Sequence, residues 1–225
     1  MEISARNLVP VPDVIPIFPL AGTVLLPGEV LPLHIFETRY RDMVRDSLAT
    51  HRVIGMVQPQ RGHEEALAGS PPVRPVGCAG VIAKHFKLPD GRYLIWLLGL
   101  RSFRVTEEMA SLTAYRQVRA ERLPESPDAG DDEALSLRRI LLAALPALSD
   151  EPSERGDDLA ADLKTIGDDH LIVATVQALG LGAEERQALL ELSSLSDRYR
   201  LLRAEAEERL HRPQAGRLLG TPYIH

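Results

Sequence analysis

Cysteine and lysine are almost missing from this chain. Its 225 residues hold one cysteine, Cys78, and three lysines, Lys84, Lys87 and Lys164. A lone cysteine excludes an internal disulfide and any zinc site built from several thiolates, and it fits a reducing compartment. None of the three lysines stands beside a serine in a recognisable nucleophile setting, and a nucleophile needs a base within hydrogen-bond reach. No G-x-x-x-x-G-K-[ST] segment occurs, so no phosphate-cradling loop opens a helix. Positive charge is not in excess either. The net charge is −6, with +3 over residues 1–123 and −9 over residues 124–225. Neither part has the strongly basic balance of a typical nucleic-acid binder. At 44% hydrophobic and 26% charged, the chain is nonetheless an ordinary globular sequence, long enough to bury a sizeable core without staples.

An uninterrupted hydrophobic run is lacking too. Val14 to Leu33 is mostly apolar, yet it holds Pro16, Pro19, Pro27, Pro32 and the acidic Glu29. Each proline removes a donor and disfavours helix before it, so the run cannot serve as a spanning helix. No basic cluster precedes it, and Glu2 and Asp13 are acidic, so it does not read as a signal peptide. The chain is expected to be soluble and cytoplasmic. Pro27–Gly28 is a type II turn signal. The run therefore reads as two or three short extended pieces joined by fixed turns, with proline confining them to edges, ends or bulges.

From Phe36 the period changes. Phe36, Tyr40, Met43, Val44 and Leu48 recur at helical spacing, with charged residues between them, which predicts an amphipathic helix capped near Glu37 or Thr38. "RVIGMVQ" (52–58) reads as a buried strand, residues 59–75 as a long loop, and "VGCAGVIAKHF" (76–86) as a strand. "LPDGR" (88–92) is a hairpin signal, because proline presets φ and glycine accepts positive φ. "YLIWLLG" (93–99) is apolar on both faces and should be central, with Trp96 in the core. In "SFRVTEEM", Phe103 and Val105 should point inward. "YRQVRAERL" (115–123) closes the β-rich part. "PESPDAGDD" (124–132) is a proline, glycine and acid linker, either a rigid joint or a hinge, and it predicts a boundary between a β-rich unit at 1–123 and a helical unit at 133–225. In the second unit, Leu135, Leu137, Leu141, Leu142 and Leu145 mark a helix ending near Pro146. Asp168 and Asp169 are placed to cap a helix ending at Gly180. Two more helices follow, and the tail frays from about 211.

Several residues invite chemistry and do not sustain it. "HEEAL" (63–67) lacks the second histidine of a zinc-protease motif. "DDH" (168–170) is better read as a helix start than as a metal site. Cys78, inside a β-rich run, reads as a buried and inert thiol. No cofactor is called for, and no acid–base constellation points to an enzyme. His34, between Leu33 and Ile35, is a packed structural histidine or, on a sharper reading, a contact for a partner.

One pattern is specific. "PIFPLAGTVLLPGEVLPLHIFETRYRDMV", followed by "VGCAGVIAKH", "LPDGRYLIWLLGLRSFRV" and a helical tail, closely resembles the N-terminal substrate-binding domain of the Lon protease family. It is most similar to the stand-alone bacterial form, without the ATPase and peptidase modules. The resemblance rests on Pro19, Leu20, Leu26, Pro27, Gly28, Leu31, Pro32, Leu33, Ile35, Phe36, Glu37, Arg39 and Tyr40. It implies an α+β fold: a small, partly closed β-barrel related to PUA-like folds, carrying one amphipathic helix and followed by a C-terminal helical bundle. It implies a non-enzymatic module that binds unfolded or exposed apolar polypeptide segments, with a protease or its substrates as partners. The expected peptide-binding surface is Leu26, Pro27, Gly28, His34 and Phe36. Two alternatives stay open: RNA binding through the PUA-like barrel, and an adaptor that docks to one dedicated partner through its acidic helices.

Overall fold

A computed structural model describes residues 9–63, 70–110, 112–123, 132–148 and 166–211. Most of the expected linker, most of "HEEAL", Lys164 and the tail beyond His211 lie outside the described residues. Six strands and the first helix come before residue 123: β1 (Val14–Pro19), β2 (Val30–Ile35), α1 (Thr38–Leu48), β3 (Val53–Val57), β4 (Val76–Lys87), β5 (Tyr93–Glu108) and β6 (Gln117–Arg122). Four helices follow: α2 (Asp132–Leu148), α3 (Asp168–Leu179), α4 (Ala183–Glu191) and α5 (Leu195–His211).

The strands make one sheet that curls back on itself. β1 runs parallel to β3 and antiparallel to β6, while β3–β4, β4–β5 and β5–β6 are antiparallel. These pairings close a ring of five strands, and β2 stands outside it. The long strand β5 makes this possible by sharing one edge between two partners. Tyr93–Leu98 pairs with β2, Phe103–Glu108 pairs with β6, and the opposite edge follows β4 from Tyr93 to Arg104. Register shifts at Ala79/Gly80 and Ile82/Lys84 mark the bends, as extra residues on one strand do. Within the barrel, Ile15, Ile17, Val53, Val57, Ala79, Leu100, Phe103 and Val118 form one buried cluster.

The proline-broken opening run is thus β1, a turn-rich crossing and β2. Gly28 sits at φ 83°, a conformation that glycine adopts without penalty. Its N–H donates to the Gly99 carbonyl at 2.9 Å, and the Gly99 N–H donates to the Glu29 carbonyl at 2.8 Å. The two backbones approach so closely that a Cβ on Gly99 would lie 2.1 Å from the Leu26 carbonyl oxygen.

α1 begins after Glu37, whose ψ of 136° is extended, and it buries Tyr40, Met43, Val44 and Ser47. The Tyr40 ring packs on Phe18 at 4.3 Å between centroids. Phe36 lies before this helix and takes no part in its buried face. α2 buries Ala134, Leu137, Leu141, Leu145 and Leu148 and runs two residues past Pro146. Leu135 stands exposed because it is off that stripe. α3 ends at Gly180 in the left-handed conformation. There the Leu181 N–H reaches the Val176 carbonyl and the Gly180 N–H the Gln177 carbonyl, a Schellman closure. Asp168 does not cap this helix. Its Oδ1 accepts from Tyr199 Oη at 2.6 Å and Arg138 Nε at 3.0 Å, which ties α2, α3 and α5 together. Burial, and then this hydrogen bond, raise the Tyr199 pKa.

The helices and the barrel share one core. Leu137, Leu141, Leu171, Ile172, Leu189 and Leu190 belong to the same apolar cluster as Leu25, Leu26, Met56, Ile82 and Leu97. α4 is the fastener. Arg186 donates to Glu29 at 2.5 Å and to the Val24 carbonyl at 3.0 Å. Gln187 donates to the Val76 carbonyl at 3.0 Å, and Ser102 Oγ donates to the Leu190 carbonyl at 3.2 Å. Glu184 accepts from both Arg61 and Arg74, and those hydrogen bonds hold its carboxyl below its ordinary pKa.

Candidate binding surface

β2 alternates as a strand with one solvated face should. Val30, Pro32 and His34 point outward, while Leu31, Leu33 and Ile35 point in. β5 alternates in step: Tyr93, Ile95 and Leu97 are buried, and Leu94, Trp96 and Leu98 are half-buried on the other side. The register places Pro32, Trp96 and Lys84 in one row across β2, β5 and β4, and His34, Leu94 and Phe86 in the next. The outer face of this three-stranded ribbon is therefore made of Val30, Pro32, His34, Lys84, Phe86, Leu94, Trp96 and Leu98, with Val81 beside Leu98 packing against the barrel cluster. Phe36 extends it beyond β2, with its ring 6.0 Å from that of His34.

The face is apolar and open. Phe36 is 61% exposed, Val30 52% and Phe86 48%. The other large apolar side chains exposed among the described residues, such as Leu112, Leu135 and Leu210, lie on separate elements. Here the exposed apolar side chains are contiguous, not scattered singly. Phe86 and Trp96 meet edge to face at 5.8 Å, and the Lys84 ammonium lies 5.1 Å from the first ring centroid and 5.4 Å from the second.

Its electrostatics are simple. Among the described residues, the outer face carries the Lys84 charge and no carboxylate. Flanking acids are already engaged: Glu37 by Arg39, Asp90 by Arg92 and Glu29 by Arg186. Asp90 is held below its ordinary pKa, chiefly by the Arg92 backbone N–H. β2 is the outer strand, and its free edge is blunted by Pro32, which has no N–H to offer. Among the described residues, no group of three or more His, Cys, Asp or Glu is placed to hold a metal ion.

The five residues expected from the sequence separate into two groups. His34 and Phe36 are exposed on the outer face. Leu26, Pro27 and Gly28 are not with them. Leu26 is only 2% exposed and lies away from the face that carries His34 and Phe36. The run is apolar there because the turn packs inward, with the Leu26 N–H donating to Glu29 Oε2 at 3.0 Å. Pro27 faces the helices, lining a narrow cleft with Leu26, Ile172, Leu189 and Arg198. Trp96 also needs correction: it is half-buried on the outer face and not in the core. Phe86 and Val30 were missed. The "LPDGR" hairpin held the signal, since pairing the strands across it sets Phe86 beside Trp96.

Comparison with known proteins fits this architecture. The family model of the ATP-dependent protease La (LON) substrate-binding domain matches residues 14–204. Lon protease 2 of Myxococcus xanthus is 26% identical over 196 residues, which cover 85% of this chain and 23% of that protein. Lon protease 2 of Sorangium cellulosum is 33% identical over 114 residues, 51% of this chain and 14% of that protein. The chain thus spans about a quarter or less of the length of these relatives. The solved N-terminal domain of the Mycobacterium avium complex Lon protease superposes with a TM-score of 0.66 at 16% identity, covering 87% of this chain and 98% of that one. A Lon N-terminal domain protein from Xanthomonas campestris gives 0.55 at 24% identity, over 85% and 97%. The α+β fold with its partly closed barrel is the fold of those domains, and no helix among the described residues is long and apolar enough to cross a membrane. By the extent of the match, this chain belongs to the LON substrate-binding domain family.

Proposed function

We propose that this chain is a non-enzymatic module that holds exposed apolar segments of polypeptides against the outer face of β2, β5 and β4. The observation that carries this is the contiguous exposure of Val30, Phe36 and Phe86 around Trp96 on one open sheet. Membership of a substrate-binding family supports it. An unfolded chain offers apolar side chains at alternate positions when extended, matching the row spacing of this face. Affinity then comes from removing two half-exposed phenylalanines, and whatever meets them, from water. At roughly 25 cal/mol per Å² of apolar surface, each ring is worth about 1–2 kcal/mol.

A sheet that sets aromatic rings beside a lysine is also a way to hold single-stranded RNA. Here the rings of Phe86 and Trp96 are turned onto each other and one lysine supplies the charge, which favours polypeptide. Fluorescence anisotropy with labelled unfolded polypeptide and labelled RNA separates the two. Polypeptide binding should weaken about five- to thirty-fold on Phe36→Ser or Phe86→Ser, with circular dichroism unchanged. RNA binding that falls steeply with salt, or unaltered polypeptide binding in both variants, would overturn the proposal.

A further inference from the structure

The outer face has a sign as well as an apolar character. The chain carries six more acids than bases, yet among the described residues this surface holds no carboxylate and one ammonium. Most surface arginines among the described residues are tied to acids: Arg39, Arg45, Arg61, Arg74, Arg92, Arg116, Arg119, Arg200 and Arg203 all form ion pairs. Lys84 instead lies over two aromatic rings, 5.1 and 5.4 Å from their centroids, and no carboxylate among the described residues answers it. It stands in the central row, opposite Trp96 and Pro32, so any segment laid across the patch passes beside it.

We propose that Lys84 is a specificity determinant, and that the preferred occupant is an extended apolar segment with one internal Asp or Glu. This rests on the polypeptide-binding reading. The apolar side chains of the segment would cover Phe36, Phe86 and Val30, and its carboxylate would meet the Lys84 ammonium. The rings of Phe86 and Trp96 beside that ammonium hold it on the patch. A basic residue at the same place would bring two cations together on the patch and be rejected, which is how like-charge juxtaposition suppresses wrong partners.

The test uses the full chain and three short labelled peptides of identical alternating apolar sequence, differing only in a central Glu, Gln or Lys. The Glu peptide should bind about three- to fivefold more tightly than the Gln peptide, as for an exposed ion pair, and the Lys peptide more weakly than either. In Lys84→Gln the preference for the Glu peptide over the Gln peptide should vanish. In Lys84→Arg the preference should persist. Lys84 is exposed, so neither variant threatens the fold. Equal binding of the Glu and Gln peptides by the wild-type chain, or a Glu preference that survives Lys84→Gln, would overturn the inference and leave polypeptide binding standing. Failure of all three peptides to bind would overturn both.

Discussion

Arg52 has φ 61°, the one positive value outside glycine among the described residues. Its N–H closes the end of α1 on the Ser47 carbonyl at 2.8 Å, and its own carbonyl accepts from the Ile82 N–H at 2.8 Å, so the conformation is held from both sides. The left-handed region costs a non-glycine residue roughly 1–2 kcal/mol. Replacing Arg52 with glycine relieves that and adds unfolded-state entropy, so Arg52→Gly should be neutral or stabilising by up to about 1 kcal/mol in urea unfolding. Arg52→Val, β-branched and rarely found there, should lose at least about 1 kcal/mol. A second contrast concerns two apolar residues ten apart. Leu26 is 2% exposed and Phe36 61%, so Leu26→Ala should cost about 2–5 kcal/mol and Phe36→Ser within about 0.5 kcal/mol. Hydropathy alone ranks these residues alike. Phe36 falls into helical spacing with Tyr40 and Met43, and only the extended backbone of Glu37 cuts it off from the helix. Spacing sees the period; it does not see where the chain turns.

Elements were more legible than residues, because each carried its own chemistry. "LPDGR" becomes a turn with Gly91 at φ 83°, and Gly180 becomes the left-handed end of α3. What stayed hidden was that two apparent strands, at 93–99 and 102–109, are one strand, β5, with two partners on a single edge. Gly99 reads as a stop in the sequence, whereas here it is the point where the turn before β2 presses against β5. Gly99→Ala would drive a methyl to 2.1 Å from the Leu26 carbonyl oxygen. Backbone must move, and a loss of about 1–3 kcal/mol or more is expected by thermal or urea unfolding. α4 offers a prediction in pH. Arg61 and Arg74 hold the Glu184 carboxyl below its ordinary value of 4.5, so the folded chain binds that proton more weakly than the unfolded chain. The contribution of this group is full above 4.5 and is lost as pH falls through the lowered value. Melting temperatures of wild type and Glu184→Gln should therefore converge as acid is added, the variant showing the shallower acid slope. A constant offset between the two curves would rule this out.

At the scale of the whole molecule, composition marked a boundary at 124–132 without saying whether it joins or separates. Charge and proline content report on solvent, whereas the joint is made elsewhere, where α4 meets the barrel. Glu29 and Arg186 are distant in sequence, and their side chains are 10% and 16% exposed. Each also serves a backbone group, Glu29 the Leu26 N–H and Arg186 the Val24 carbonyl. Removing one partner leaves a charge in a largely buried site, which costs about 3–5 kcal/mol for buried pairs. Glu29→Met and Arg186→Met should each destabilise on that scale. The double variant should recover part of the loss, because two apolar side chains remove the unpaired charge from an interface already lined by Leu25, Leu26 and Leu189, while the Leu26 N–H and the Val24 carbonyl stay without these partners. A coupling energy below about 0.5 kcal/mol in this cycle would mean that the pair does not fasten the two halves. The shared core makes a further demand on the same experiment. Trp96 reports on the β-rich half and far-ultraviolet ellipticity chiefly on the helices. In the wild-type chain both signals should change at one denaturant concentration, as two-state unfolding requires. In the single variants, where the fastener is cut and the apolar contact remains, the two midpoints should begin to separate. Separate midpoints in the wild type itself would show that the halves fold as independent units, with residues 124–132 acting as a hinge.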